Sequence, residues 1–188
     1  ARRVARVGHR LVRRGRAMTW RATMTFVMVI VGANLLTAHY GLVAWLGLTA
    51  TAGTWVAGFA FVARDHLHES GGPRWVAPAI VAGALISAAF SPALALASGV
   101  AFLFSELADW SVYAPLRKRG RTRAALASNV VGAVVDTFLF LWIAGFPLDG
   151  AATQVLVKVG TTTAFVLGVR LALRSQSVRQ FTGGGRHA

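Results

Sequence analysis

Between Phe102 and Lys158 the chain carries three carboxylates, Glu106, Asp109 and Asp136, and one ammonium, Lys158, inside runs otherwise apolar enough to cross a bilayer. An ionisable side chain in hydrocarbon is costly unless it faces protein or a water-filled space. These four groups must therefore look inward, around a polar path or a binding site, and the fold has to supply the interior.

A crossing helix needs about 20 mostly apolar residues at about 1.5 Å rise each. Six such runs are legible, at 19–38, 41–63, 75–90, 92–115, 124–146 and 151–173. The third is short, and its boundary with the fourth rests on Pro92, which has no N–H to donate and disfavours helical geometry at Ser91. A tight turn is expected there, one kinked long helix being the alternative. The expected class is all-α: a polytopic membrane protein, a compact bundle of six transmembrane helices over 18–174. A basic arm at 1–17 and a flexible tail at 175–188 flank it. Only 14% of the 188 residues are charged, against about 25% in soluble domains, and 55% are hydrophobic, which leaves no room for a second folded domain. Without cysteine there are no disulfides, thiol chemistry or Cys-based metal sites.

The formal net charge of +14 is distributed in clusters that flank apolar runs. Arg2, Arg3, Arg6, Arg10, Arg13, Arg14 and Arg16 open the chain; Arg117, Lys118, Arg119, Arg121 and Arg123 lie in the middle; Arg170, Arg174, Arg179 and Arg186 lie near the end. Flanking arginines hold a loop in the cytoplasm and attract anionic lipid headgroups. The loops expected after the second and fourth runs are basic, with Arg64 and Arg74 in the former. Those after the first, third and fifth contain no Lys or Arg. The positive-inside rule then places both termini in the cytoplasm of a multi-pass protein of the cell (inner or plasma) membrane, and adding or removing one span breaks the pattern. The first apolar run also resembles a signal-peptide core, but it shows no clear small-x-small cleavage site and the alternation needs it. Direct nucleic-acid binding is not expected, since no soluble domain remains to carry it.

Glu106, Asp109 and Tyr113 fall at helical spacings of three and four, so they share one face. So do Asn129, Gly132 and Asp136 in the fifth run, and Gln154 and Lys158 in the sixth. Asn34 adds an amide in the first. Lys158 is the natural partner for Asp136 or Glu106, in which case the cluster locks helices together. Three acids against one base still leave a surplus of negative charge for a ligand, a proton or a cation. Trp110 beside Asp109 offers a stacking face next to an acceptor, a pairing suited to a flat, nitrogen-rich ligand. Small residues such as Gly53, Gly58, Gly83, Ser128 and Gly132 read as places where helices approach closely. His66, His68 and Glu69 do not share a helix face and read as a solvated interfacial end rather than a metal site. No nucleophile, base and orienting group recur at a catalytic spacing, so neither an enzyme nor a cofactor is expected.

The acid pair with Trp110, Tyr113 and Pro115 in the run 105–117, then Ser128 and Asn129 ahead of Asp136, then Gln154-x-x-x-Lys158, resembles the queuosine-precursor transporter family, also called vitamin-uptake-transporter-like. The resemblance covers roughly 34–168, and Arg64, Asp65 and Glu69 look like that family's acidic position after the second span. It implies a six-helix inner-membrane importer of a 7-deazaguanine small molecule, the cyano or aminomethyl precursor of queuosine. On that reading Glu106, Asp109 and Asp136 accept the ligand's N–H donors or carry protons. Asn129, Gln154 and Lys158 meet its carbonyl, and Asn34 and Trp110 complete the site. A substrate-binding membrane subunit of an ATP-driven importer, or a structural or pore-forming membrane protein, is the alternative. A second copy of the chain is a further candidate partner.

Overall fold

The computed structural model describes residues 2–183. Among these, six α-helices follow one another: α1 (Arg2–Tyr40), α2 (Thr54–Gly71), α3 (Val76–Ser87), α4 (Pro92–Leu116), α5 (Arg121–Ala144) and α6 (Ala151–Gly183). A two-stranded antiparallel hairpin, β1 (Leu42–Trp45) and β2 (Leu48–Thr51), separates α1 from α2. Four helical segments are long and apolar enough to cross a membrane: Ala17–Tyr40, Pro92–Arg119, Leu126–Ala144 and Ala151–Gly168. The chain is thus a mainly helical, multi-pass membrane bundle.

The second expected span, 41–63, is corrected in two respects. Its first part is the hairpin, in register Leu42↔Thr51 to Trp45↔Leu48, and it turns at Leu46 and Gly47 with φ of 53° and 76°. Positive φ at both centres is the geometry of a type I′ hairpin turn, and β-branched Thr49 and Thr51 favour the extended strand that follows. The helix itself then runs from Thr54 through Gly71, so Arg64, Asp65, His66, His68 and Glu69 are helical rather than loop residues. Its 18 residues extend about 27 Å. The third expected span shrinks to the 12 residues of α3. Between α3 and α4 the chain turns as expected: Ser91 caps α4 by accepting the Leu94 N–H, with Pro92 in the first turn, and no kinked long helix forms. α6 remains helical past Ser175, where a flexible tail was expected, as far as Gly183; residues 184–188 lie outside the described residues.

Contacts between helices fix their directions. Thr37 near the end of α1 accepts the Gly53 N–H ahead of α2 (2.9 Å), while Thr19 near the other end donates to the Ser70 carbonyl (3.0 Å), so α1 and α2 are antiparallel. Gly132 of α5 packs on Ser105 and Asp109 of α4 across their connecting turn, and α5 meets α6 through Asp136 and Lys158. α2 and α6 run parallel, since Thr54 bonds to Gln154 and, one turn on, Gly58 faces Lys158 and Thr161. Successive helices therefore alternate in direction. The bundle interior is organised around Phe102, whose ring lies 5.4 Å from those of both Phe26 and Phe61. Large apolar side chains such as Leu85, Leu96, Leu156 and Trp142 point outward, as lipid-facing positions do.

Candidate functional site

Buried polar groups in the bundle form two separate clusters rather than one shared pocket. At the first, Lys158 of α6 reaches across to α5. Its Nζ lies 2.5 Å from Asp136 Oδ2 and 3.0 Å from Thr137 Oγ1, with all three residues buried. An isolated charge here would be very costly, so the pair must be matched within the protein. Lys158, Asp136 and Asn34 border a central cavity of about 60 Å³ lined by residues of α1, β2, α2, α3, α4, α5 and α6. The rest of its wall is largely apolar, Ile30, Phe102 and Phe140 among it.

Asn34 is held from behind. Its Nδ2 donates to Ser87 Oγ (3.1 Å) and Ser98 Oγ (2.7 Å), and Ser98 in turn donates to the Ala95 carbonyl. Gln154 stands one layer outside the cavity: its Oε1 accepts from Thr54 Oγ1 (2.7 Å) and Thr51 Oγ1 (3.3 Å), and those two threonines form the wall. The two hydroxyls also bond to each other at 2.7 Å. The hairpin and the start of α2 thus bring non-helical backbone to the cavity, where it is sheltered by protein as bilayer physics requires.

The second cluster centres on Arg64, which the sequence placed in a cytoplasmic loop. The structure buries it on α2 (3% exposed) between α4 and α5. Its guanidinium contacts Glu106 Oε1 at 2.7 Å, Asp109 Oδ2 at 3.5 Å and Asp65 Oδ1 at 3.0 Å, and Nη2 donates to Asn129 Oδ1 at 3.5 Å. The planar fork has enough N–H groups to serve several acceptors at once. Glu106, Asp109 and Asn129 therefore meet Arg64 rather than Lys158, and the acid surplus inferred from one base is smaller by one cation. A helical signal was present: Phe61, Arg64 and Leu67 recur every three residues, so Arg64 falls on the buried stripe of α2.

Around this cluster lies a polar cavity of about 330 Å³, with Tyr113 and Trp110 on its wall. Trp110 is 67% exposed, so only part of its ring serves the cavity. A larger cleft of about 540 Å³ between α2, α5 and α6 shares Asp65, Tyr113 and Asn129 with that cavity and reaches Lys158. The three spaces adjoin through shared residues: Asp65, Tyr113 and Asn129 between the Arg64 cavity and the cleft, and Lys158 between the cleft and the central cavity.

The eight residues expected at the site are thus divided. Asn34, Asp136 and Lys158 border the central cavity, Gln154 backs it, and Glu106, Asp109, Trp110 and Asn129 surround the second space. Thr51, Thr54 and Ser98 belong with them and were not singled out beforehand, and Arg64, expected in a loop and named with Asp65 and Glu69 in the resemblance, is the centre of the second space. A family model described as "Putative vitamin uptake transporter" matches residues 7–173. No curated protein and no solved structure matches the chain.

Proposed function

Since the chain belongs to the vitamin uptake transporter family, a family of membrane transporters rather than enzymes, we propose that it imports a 7-deazaguanine precursor of queuosine across the cell (inner or plasma) membrane. In this reading all six helices cross, α2 with its hairpin and the short α3 included, and both termini are cytoplasmic. The arginine-rich segments lie against anionic headgroups on that face. The alternation of helix directions supports the six crossings.

One observation carries the choice of site: the Lys158–Asp136 pair and Asn34 are buried together at a cavity on the bundle axis, away from lipid. A flat heterobicycle with adjacent N–H donors and a carbonyl has partners in the carboxylate and amide oxygens and the ammonium gathered at this cavity. At about 60 Å³ the cavity is small beside the 300–1,000 Å³ usual for ligand sites, so the substrate-loaded state is more open than this one. The adjoining cleft at Lys158 is the route by which it opens.

Uptake of labelled 7-cyano-7-deazaguanine or its aminomethyl counterpart by a strain lacking its own importer tests the proposal. The native chain should restore uptake, and Asp136→Asn and Lys158→Met should abolish it at equal membrane levels. No uptake by the correctly inserted native chain would reject the substrate, and native-like uptake by both variants would reject the site.

A further inference from the structure

The hydrogen bonds behind the central cavity leave three of its lining residues with oxygen lone pairs and no hydrogens to offer. Asn34 spends both Nδ2 hydrogens on Ser87 and Ser98. With the Ser98 hydroxyl donating to the Ala95 carbonyl at 3.3 Å, its oxygen accepts from Asn34 and favours this orientation of the amide. Asn34 Oδ1 is the atom left for the cavity.

Thr51 and Thr54 reach the same condition by a different route. Their two oxygens and Gln154 Oε1 form a closed triangle with edges of 2.7, 2.7 and 3.3 Å. Gln154 Oε1 can only accept. Whichever threonine donates to the other, the second hydrogen goes to Gln154, so both are used within the triangle and only lone pairs face inward. Both amides are buried, Gln154 at 1% and Asn34 at 3% exposed.

We infer that Asn34, Thr51 and Thr54 form an acceptor wall that selects ligands presenting an edge rich in N–H donors, such as a ring carrying an amino group. Gln154 and Ser98 are positioning residues that keep the wall in this state. Thr37, whose oxygen takes the Gly53 N–H, and Lys158 are the cavity's hydrogen donors, and they leave a place for one ligand acceptor. The inference rests on the reading that this cavity holds the substrate, and it deepens that reading by naming what is discriminated. A site built from committed acceptors rejects an analogue lacking the matching donors because its own oxygens are left unpaired.

The test measures binding to purified protein in lipid nanodiscs for two compound pairs that differ in one amino group: 7-deazaguanine with 7-deazahypoxanthine, and 2-aminobenzimidazole with 2-methylbenzimidazole. The amino member of each pair should bind about tenfold tighter or more. Thr54→Val and Gln154→Met should bring the two members near parity, mainly by weakening the amino compound, whereas Gln154→Glu, which still accepts from both hydroxyls, should keep the preference. A purely structural role would weaken both members equally.

Equal affinity within both pairs for the native protein would overturn the acceptor wall and leave the transport reading standing. So would an undiminished preference in both Thr54→Val and Gln154→Met. Preference for 2-aminobenzimidazole with no binding of either deazapurine would support the wall and sink the substrate assignment. No binding of any of the four by protein that unfolds cooperatively would overturn both.

Discussion

Lys158 and Asp136 face each other across α5 and α6 at 2.5 Å, and each is the charge that makes the other tolerable at that depth. Lys158→Met should cost about 3–5 kcal/mol by stranding Asp136. The double variant Lys158→Met with Asp136→Leu should recover most of that loss in thermal unfolding of the detergent-solubilised protein, yet remain inactive in uptake. Recovery of transport along with stability would show that the pair only holds helices together.

Arg64 serves three carboxylates, so its removal should be felt more than removal of any one of them. Arg64→Met is expected to destabilise by several kcal/mol, more than Glu106→Gln, and Arg64→Lys should rescue only part because an ammonium lacks the guanidinium fork. Thermal unfolding midpoints of the three variants provide the comparison. Equal stability of Arg64→Lys and the native chain would show that the fork is not needed.

Gly58 lets α2 approach α6 so closely that a Cβ there would run into Thr161 Oγ1 and lie 2.9 Å from the Lys158 carbonyl. Gly58→Val should therefore destabilise by about 1–3 kcal/mol as an overpacked contact, while Gly150→Ala, with open space around it, should be near neutral. Unfolding midpoints read out both.

Leu46 holds φ of 53° in the hairpin turn, a conformation that suits Asn or Gly better than Leu. Leu46→Asn should stabilise the protein by about 0.5–1 kcal/mol without affecting uptake. A lower unfolding midpoint would mean that the Leu46 side chain has a packing role that outweighs its strained backbone.

Because the chain has no cysteine, single introduced thiols report topology cleanly. With six crossings and cytoplasmic termini, Leu46→Cys should react with a membrane-impermeant maleimide on intact cells, and Lys118→Cys only after permeabilisation. The opposite pattern would invert the topology; labelling of both from one side would remove a crossing.

Features governed by local chemistry were legible in the sequence. Pro92 and Ser91 marked the turn ahead of α4, and of the two partners open to Lys158, Asp136 and Glu106, it is Asp136 that pairs with it. The hairpin was not, because residues 41–53 are apolar enough to pass for helix and only Leu46-Gly47 and the β-branched threonines argue otherwise. Missing it also concealed Thr51 and Thr54, which act on the cavity only because the strand brings them there. Arg64 was misplaced for a related reason: a charge beside Asp65 and His66 reads as a solvated helix end unless its register with Phe61 and Leu67 is weighed. The division of the acids into two groups depends on how α2 packs against α4 and α5, and spacing along a single helix carries no information about that.

Lys158 borders the central cavity and the cleft. Among the described residues Lys158 is the one that lines both spaces. Any change in the setting of this side chain alters both spaces at once and parts the ammonium from Asp136 and Thr137, so the shapes of the two spaces are tied to that ion pair.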